Sequence, residues 1–131
     1  MTVRIIARIL SVLALWCCAQ EVCAQGLQVR LVNIRYYLDG GCGGDMPVKV
    51  KVCFETNSPK PENLRFVAYY SNVARSETRV RESDSTMIYY TFCTREGVES
   101  TLDLVVEDQT GHRSRRFTIN ALATSKNIIK P

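Results

Sequence analysis

Apolar and polar residues alternate along much of the chain, and a period of two predicts β-strands rather than helices. The range 101–107 alternates clearly and ends at the turn signal Asp108-Gln109-Thr110-Gly111, after which the chain returns as a hairpin partner. Its predicted buried members are Leu102, Leu104 and Val106, and its predicted water-facing members are Thr101, Asp103, Val105 and Glu107.

Ranges earlier in the chain carry the same pattern. The ranges 47–56, 64–70 and 86–94 each predict a strand with one buried face, and the mostly polar range 74–83 fits either an edge strand or a loop. The predicted core residues of these strands are Val48, Val50, Val52, Phe54, Leu64, Phe66, Ala68, Tyr70, Ile88, Tyr90 and Phe92.

Short strands separated by turns, without a helical pattern, predict an all-β fold. We expect an antiparallel, two-sheet, immunoglobulin-like β-sandwich of six to seven strands. The sandwich is expected to occupy residues 25–121, and residues 122–131 are expected to form a C-terminal tail.

Two strands break the simple alternation. Around residues 27–38 the apolar parity switches between Leu31 and Val32, which predicts either a bulge or a strand that changes sheets. In the last strand, strict alternation from Phe117 would turn Arg113 and Arg115 into the core. Burial of two unpaired guanidinium groups is too costly, so we predict a bulge or an early exit from the sheet near residues 115–116.

The N-terminal segment has the organisation of a secretory signal peptide. Arg4 and Arg8 precede an apolar run at 9–18 that is too short to span a bilayer, and Val22-Cys23-Ala24 supplies small residues at the −3 and −1 positions. Cleavage after residue 24 predicts a protein exported to the periplasm or cell envelope of a bacterium. No small residue precedes Cys17, Cys18 or Cys23 in the way that lipid attachment requires, so no stable membrane insertion is expected after cleavage.

Removal of 24 of the 131 residues leaves 107, which is enough for one domain with one core. The full chain carries a formal charge of +4, and the removed segment carries two arginines and one glutamate, which leaves the mature chain at about +3. Nucleic-acid binding usually needs a stronger, clustered excess and a recognisable module. We therefore expect no nucleic-acid partner.

The mature chain retains Cys42, Cys53 and Cys93 in an oxidising compartment. The parities and neighbourhoods of the strands predict a disulfide that uses Cys93, with either Cys42 or Cys53 as its partner. The spacing of the cysteines and of His112 gives no zinc motif, and nothing marks a nucleophile. The glycine-rich loop at 39–45 lacks the ending of a phosphate-binding loop and is read as a turn. We expect no cofactor, no metal and no catalytic residue.

Several motifs in the C-terminal third resemble those of a known family. Met87-Ile88-Tyr89-Tyr90-Thr91, the run from Asp103 to Asp108, Gly111 and the strand ending Phe117-Thr118-Ile119-Asn120 are similar to the TraQ family of bacterial conjugative-transposon proteins. The resemblance implies an immunoglobulin-like sandwich and an accessory role in the envelope part of a conjugation apparatus. It supplies no catalytic residues, and the missing lipid-attachment signal departs from a membrane-attached pattern.

Two classes of function fit these features. The first is a non-enzymatic binding or scaffolding module with a protein partner in the cell envelope, acting through a sheet face or an exposed sheet edge. The candidate contact residues are Tyr69 and Tyr89, which are expected to form a binding face, with Tyr37 as a further candidate. The second is a small exported enzyme such as a hydrolase, or a carbohydrate-binding or adhesin module. The sequence leaves the oligomeric state and the identity of the partner open.

Overall fold

The computed structural model describes residues 26–70 and 74–130, and the predicted signal peptide at 1–24 lies outside these residues. The described chain forms nine strands and two single-turn 3-10 helices, the latter at Gly40–Cys42 and Pro61–Asn63. The strands are β1 (Val29–Leu38), β2 (Val48–Thr56), β3 (Arg65–Tyr70), β4 (Ala74–Arg79), β5 (Glu82–Asp84), β6 (Met87–Thr94), β7 (Glu99–Glu107), β8 (Phe117–Leu122) and β9 (Ile128–Ile129).

The strands form two sheets with immunoglobulin-like connectivity. One sheet has the order β5-β6-β2-β1-β9 and the other has the order β4-β3-β7-β8. Read as strands A to G, β1, β2, β6 and β5 reproduce the A-B-E-D sheet, while β3, β7 and β8 reproduce the C-F-G sheet with β4 added at its edge. All pairings are antiparallel except that of β1 with the short β9. The expected all-β, immunoglobulin-like sandwich is confirmed, but the described chain has nine strands where six to seven were expected.

The core lies between the sheets and is filled by the residues whose alternation predicted it. Phe54 is fully buried and packs its ring against Phe66, at 5.8 Å between centroids, and against Phe117, at 5.1 Å. Two hydrogen bonds of tyrosine hydroxyls also join the sheets: the hydroxyls of Tyr70 and Tyr90 are hydrogen-bonded to each other, and the Leu122 amide donates to the Tyr36 hydroxyl. Aromatic packing thus takes the central place that the immunoglobulin disulfide and tryptophan occupy in antibody domains.

The parity switch in β1 is a bulge. Leu31 pairs with Phe54 and Asn33 pairs with Cys53, so Val32 is an extra residue on β1. The strand therefore keeps its place in one sheet, and Ile34 and Tyr36 return to the core side without any exchange between sheets.

The predicted irregularity before β8 is also confirmed. Leu104 pairs with Phe117, whereas Glu107 pairs with Arg113, which leaves one more residue between the pairs on the β8 side than on β7. Ser114 stabilises the distortion by donating its amide to the Val106 carbonyl and accepting the Val106 amide at its hydroxyl. Arg113 and Arg115 are both exposed, as the cost of burying them requires.

Two sequence expectations are wrong in detail. Residues 122–131 are not simply a tail, because Ala123 and Ile128 are buried and β9 adds a short strand beside β1. Alternation predicted that Val105 and Glu107 face water. Both do face away from the inter-sheet core, but both are buried. Arg65 and Arg113 lie against Glu107 on the same sheet face, and period-two patterns cannot reveal such coverage of an outward residue.

The polar range after β3 forms the edge strand β4 and the three-residue strand β5, which lie in different sheets. Both strands are short and carry exposed charged residues, a feature that protects sheet edges from pairing with other chains. Within residues 26–70 and 74–130, no helix has the length and apolar character needed to cross a membrane.

Candidate functional site

The two tyrosines predicted to form a binding face lie on different sheets. Tyr69 is on β3 and faces outward from the four-stranded sheet, because its neighbours Ala68 and Tyr70 face the core. Tyr89 is on β6 and faces outward from the five-stranded sheet. The prediction of one face containing both residues is therefore wrong, and each tyrosine belongs to a separate surface with its own chemistry.

The outer face of the four-stranded sheet carries a continuous group of charged side chains, which we call the arginine face. Strand register creates it: Tyr69 lies between Arg75 on β4 and Asp103 on β7, and Arg65 lies opposite Glu107. The irregular start of β8 brings two further arginines over the same sheet. The members of the arginine face are Arg65, Tyr69, Arg75, Glu77, Asp103, Glu107, Arg113 and Arg116.

Glu107 is the centre of this face. Arg65 donates from Nε and Nη2 to Oε1 of Glu107, at 3.1 and 2.7 Å. Nη2 of Arg113 lies 2.6 Å from Oε2 on the other side of the carboxylate, as an ion pair without a well-aligned hydrogen bond. Nη2 of Arg75 lies 3.9 Å from the same oxygen. One buried carboxylate thus fixes guanidinium groups that come from three different chain segments.

The charge state of Glu107 follows from two opposing effects. Burial disfavours the charged carboxylate and would raise its pKa, but the hydrogen bond from Arg65 and the charges of Arg113 and Arg65 outweigh burial, so the pKa is lowered. The same hydrogen bond raises the pKa of Arg65. Glu107 is therefore ionised at neutral pH and acts as a fixed counter-charge, not as a proton donor.

A second cluster adjoins the first. Nε of Arg116 lies 2.9 Å from a carboxylate oxygen of Asp103, and the Arg116 guanidinium carbon lies 4.2 Å from the centroid of the Tyr69 ring. Stacking on the ring and pairing with the carboxylate hold the planar guanidinium group in one orientation. Glu77 links Arg75, at 2.7 Å, to Arg65, at 3.6 Å, within the first cluster.

The arginines lie nearer to the solvent than most of the acids that hold them. The side chains of Arg65, Arg75, Arg113 and Arg116 are 45–49% exposed, whereas Glu107 is 3% and Asp103 is 23% exposed. The exception among the three acids is Glu77, whose side chain is 44% exposed and thus nearly as exposed as the arginines. A molecule that approaches this face therefore meets guanidinium groups that still have unused N–H donors.

The outer face of the five-stranded sheet has a different character. Tyr37, Lys51, Cys53, Met87 and Tyr89 help to line an open depression of about 350 Å³. The Lys51 ammonium lies 4.8 Å from the centroid of the Tyr89 ring and 2.6 Å from a carboxylate oxygen of Glu82. Its cation is thus already paired.

Cys53 lies at the base of this depression and is a buried free thiol. Its sulfur contacts the Met87 sulfur at 3.8 Å, and burial raises the pKa of the thiol. The thiol is therefore neutral at physiological pH and poorly nucleophilic, which does not suit covalent catalysis.

The remaining cysteines form a disulfide between Cys42 and Cys93, with 5.7 Å between their Cα atoms. Of the two pairings that the sequence left open, the structure contains this one. It ties the β1–β2 loop to the end of β6. Asp39 shapes the loop by accepting the Gly41 amide at 2.7 Å and by pairing with Lys49.

His112, the histidine considered for catalysis, is exposed in the β7–β8 turn. Its Nδ1 lies 2.8 Å from the Thr110 hydroxyl oxygen and 3.2 Å from Asp108, whose carboxylate also accepts the amides of residues 110 and 112. These contacts belong to the turn itself and include no cysteine. In the described part of the chain, no three His, Cys, Asp or Glu side chains converge as metal ligands would.

Sequence reasoning identified Tyr69 and Tyr89 but missed the cluster around Glu107. The cluster depends on the register of β3 against β7 and on the bulge before β8. The alternation of apolar and polar residues encodes neither the register nor the bulge. One signal was available: Glu107 ends a strand just before a hairpin turn that returns through Arg113, so the two had to lie near each other.

Comparison with known proteins adds one structural likeness. No family model matches the chain, and no curated protein sequence matches it. A solved structure, the PKD domain of an M14-like peptidase from Thermoplasmatales archaeon SCGC AB-540-F20, is similar with a TM-score of 0.42 and 11% identity, over 71% of this chain and 92% of that chain.

Proposed function

We propose that this protein is an exported, non-enzymatic binding module that attaches to a protein partner in the bacterial cell envelope through the arginine face. The observation that carries the proposal is the arrangement around Glu107. A buried carboxylate holds Arg65 and Arg113 in place, and their remaining donors face the solvent.

Pre-organisation makes such a surface suitable for binding. A flexible arginine loses rotamer freedom when it is ordered at an interface, at a cost of about 0.5–1.5 kcal/mol for each immobilised side chain. The arginines of this face are already held by ion pairs, and Arg116 is also held by stacking on Tyr69. Arginine and tyrosine are also the residue types enriched among those that dominate binding energy at protein interfaces.

The proposed context is the envelope part of a conjugation apparatus. The resemblance of the segments between Met87 and Asn120 to TraQ proteins supports this context, and the signal-like N-terminal sequence supports export. A binding role also agrees with the chemistry of the reactive side chains: Cys53 is a neutral thiol with a raised pKa, and His112 is engaged within its own turn.

Genetic complementation tests the proposal. Deletion of the gene is expected to impair transfer, and variants that carry His112→Ala or Cys53→Ala should restore it because neither side chain performs chemistry. A combined Arg75→Gln and Arg116→Gln variant should fail to restore transfer. Full complementation by the combined variant, or loss of function from either single variant in a protein that still folds, would contradict the proposed role.

A further inference from the structure

The arginine face also indicates what kind of partner surface it recognises. We infer that the arginine face docks a carboxylate-rich segment of the partner protein, with Arg75 and Arg116 as the principal contacts. This inference rests on the binding function proposed above and adds the chemical class of the partner.

The first argument is the depth of the charges, that is, which of them lie nearest to the solvent. Glu107 and Asp103 lie beneath the guanidinium groups that they hold, so the outermost charges of these pairs are positive. Each guanidinium group has five N–H donors. Arg75 makes one short contact, to Glu77 at 2.7 Å, so most of its donors remain available. Carboxylate and phosphate oxygens fit such free donor pairs in a fork geometry, and carboxylates are the ones that an unmodified protein segment supplies.

The second argument separates a protein segment from a uniform polyanion. Glu77 is 44% exposed and lies between Arg65 and Arg75, so it interrupts the positive surface. A nucleic acid or a polyuronate carries a negative charge at every repeat and would be repelled at this point. A protein segment can place a neutral or basic residue opposite Glu77 and carboxylates on either side.

The third argument is the flat platform formed by Tyr69 and Arg116. The guanidinium group is stacked on the ring and is paired with Asp103 on one side, which leaves its other edge open to solvent. A carboxylate that reaches this edge adds a second ion pair without reordering Arg116. By contrast, Lys51 on the opposite sheet is 23% exposed and its partner Glu82 is 49% exposed, so the outer charge of that pair is negative and it offers a weaker site for a carboxylate.

The test uses the mature chain and a fluorescently labelled peptide that carries glutamates at both ends and a run of glycines between them to face Glu77, followed by anisotropy and by amide NMR shifts. The peptide should bind, and added salt should weaken binding because the contacts are partly exposed. Shifts should concentrate at Tyr69, Arg75 and Arg116. The same peptide with lysines in place of the glutamates should not bind.

Matched variants then locate the site. Arg75→Gln with Arg116→Gln should weaken binding by about tenfold or more. Arg30→Gln with Arg35→Gln removes the same charge from β1, in the other sheet, and should change it by less than about twofold. Thermal melts confirm that each variant folds. The Arg116→Lys variant keeps the charge but loses the planar fork, and it should bind with intermediate affinity.

Several results would overturn the inference. They are an equal loss of binding in the two double variants, shifts centred on Lys51 and Tyr89, or tighter binding to polygalacturonate or duplex DNA than to the peptide at matched charge. If the peptide does not bind while the partner is still captured through the arginine face, the acidic class is wrong and the binding function stands. If capture also fails to depend on this face, both are wrong.

Discussion

At the scale of single residues, Glu107 has the most unusual environment in the described chain. It is a carboxylate that faces outward from a sheet yet is 3% exposed, and its charge is balanced by arginines from β3, β4 and the segment before β8. Such a group links the ionisation of one side chain to the stability of the fold. It also holds the guanidinium groups of Arg65 and Arg113 in the arginine face.

Acid should weaken the protein through Glu107. The folded-state pKa is below the usual 4.5, so this group contributes stability above about pH 4.5 that is lost as the pH falls through the folded pKa. Glu107→Gln should therefore be less stable than wild type at pH 7, and the difference should shrink at acid pH. Chemical denaturation at several pH values measures this change.

Glu99→Gln is the matched control, because Glu99 is an exposed glutamate on the same strand. Its free energy of unfolding should differ little from that of wild type at any pH. If Glu107→Gln is as stable as wild type at neutral pH, or if the loss of stability grows on acidification, the assigned role of the carboxylate is contradicted.

At the scale of elements, the sequence predicted the strands and their buried faces better than it predicted which residues of different strands lie side by side. Val48, Val50, Val52 and Phe54 are buried as their alternation indicated, because a sheet with one covered face imposes a period of two. The bulge in β1 was visible as a parity change. The burial of Val105 and Glu107 was not, since it depends on long side chains from neighbouring strands.

The cysteines illustrate the same limit. Parity placed Cys53 and Cys93 on one sheet face, and the structure pairs Lys49 with Cys93 and Cys53 with Tyr89 on adjacent strands. The two cysteines are therefore four residues apart along β2, too far for a bond between them. Cys42 reaches Cys93 because its loop folds back over the end of β6. Register and loop path decided the pairing, and neither can be read from cysteine spacing.

The disulfide should contribute measurably to stability. It joins residues 51 apart in sequence, and in the chain-entropy model a bond of this span stabilises the folded state by about 4 kcal/mol. Cys93→Ser should lower the free energy of unfolding by about 2–4 kcal/mol. Cys53→Ala serves as the control that removes a cysteine without touching the bond.

Thiol titration checks the same pairing. The mature chain, denatured without reduction, should expose one reactive thiol, and the folded chain should react slowly because Cys53 is buried. Three reactive thiols, or an unchanged free energy of unfolding in Cys93→Ser, would show that the bond does not form.

At the scale of the whole molecule, the two sheets present surfaces of different kinds. The four-stranded sheet carries exposed arginines around the buried carboxylate of Glu107, and the five-stranded sheet carries a depression lined by Tyr37, Tyr89 and the shielded thiol of Cys53. This difference makes the account testable, because removal of the same charge from either sheet should have unequal consequences. Charge removal from the five-stranded sheet therefore serves as the control for charge removal from the arginine face.

The most direct measurement is quantitative affinity capture from the cell envelope, where the partner is proposed to lie, with three forms of the mature chain as bait. Wild type and the Arg30→Gln, Arg35→Gln variant should retain the same envelope protein, and the Arg75→Gln, Arg116→Gln variant should lose it while melting like a folded protein. Equal retention by all three forms, or loss confined to the Arg30 and Arg35 variant, would contradict the assignment of binding to the arginine face.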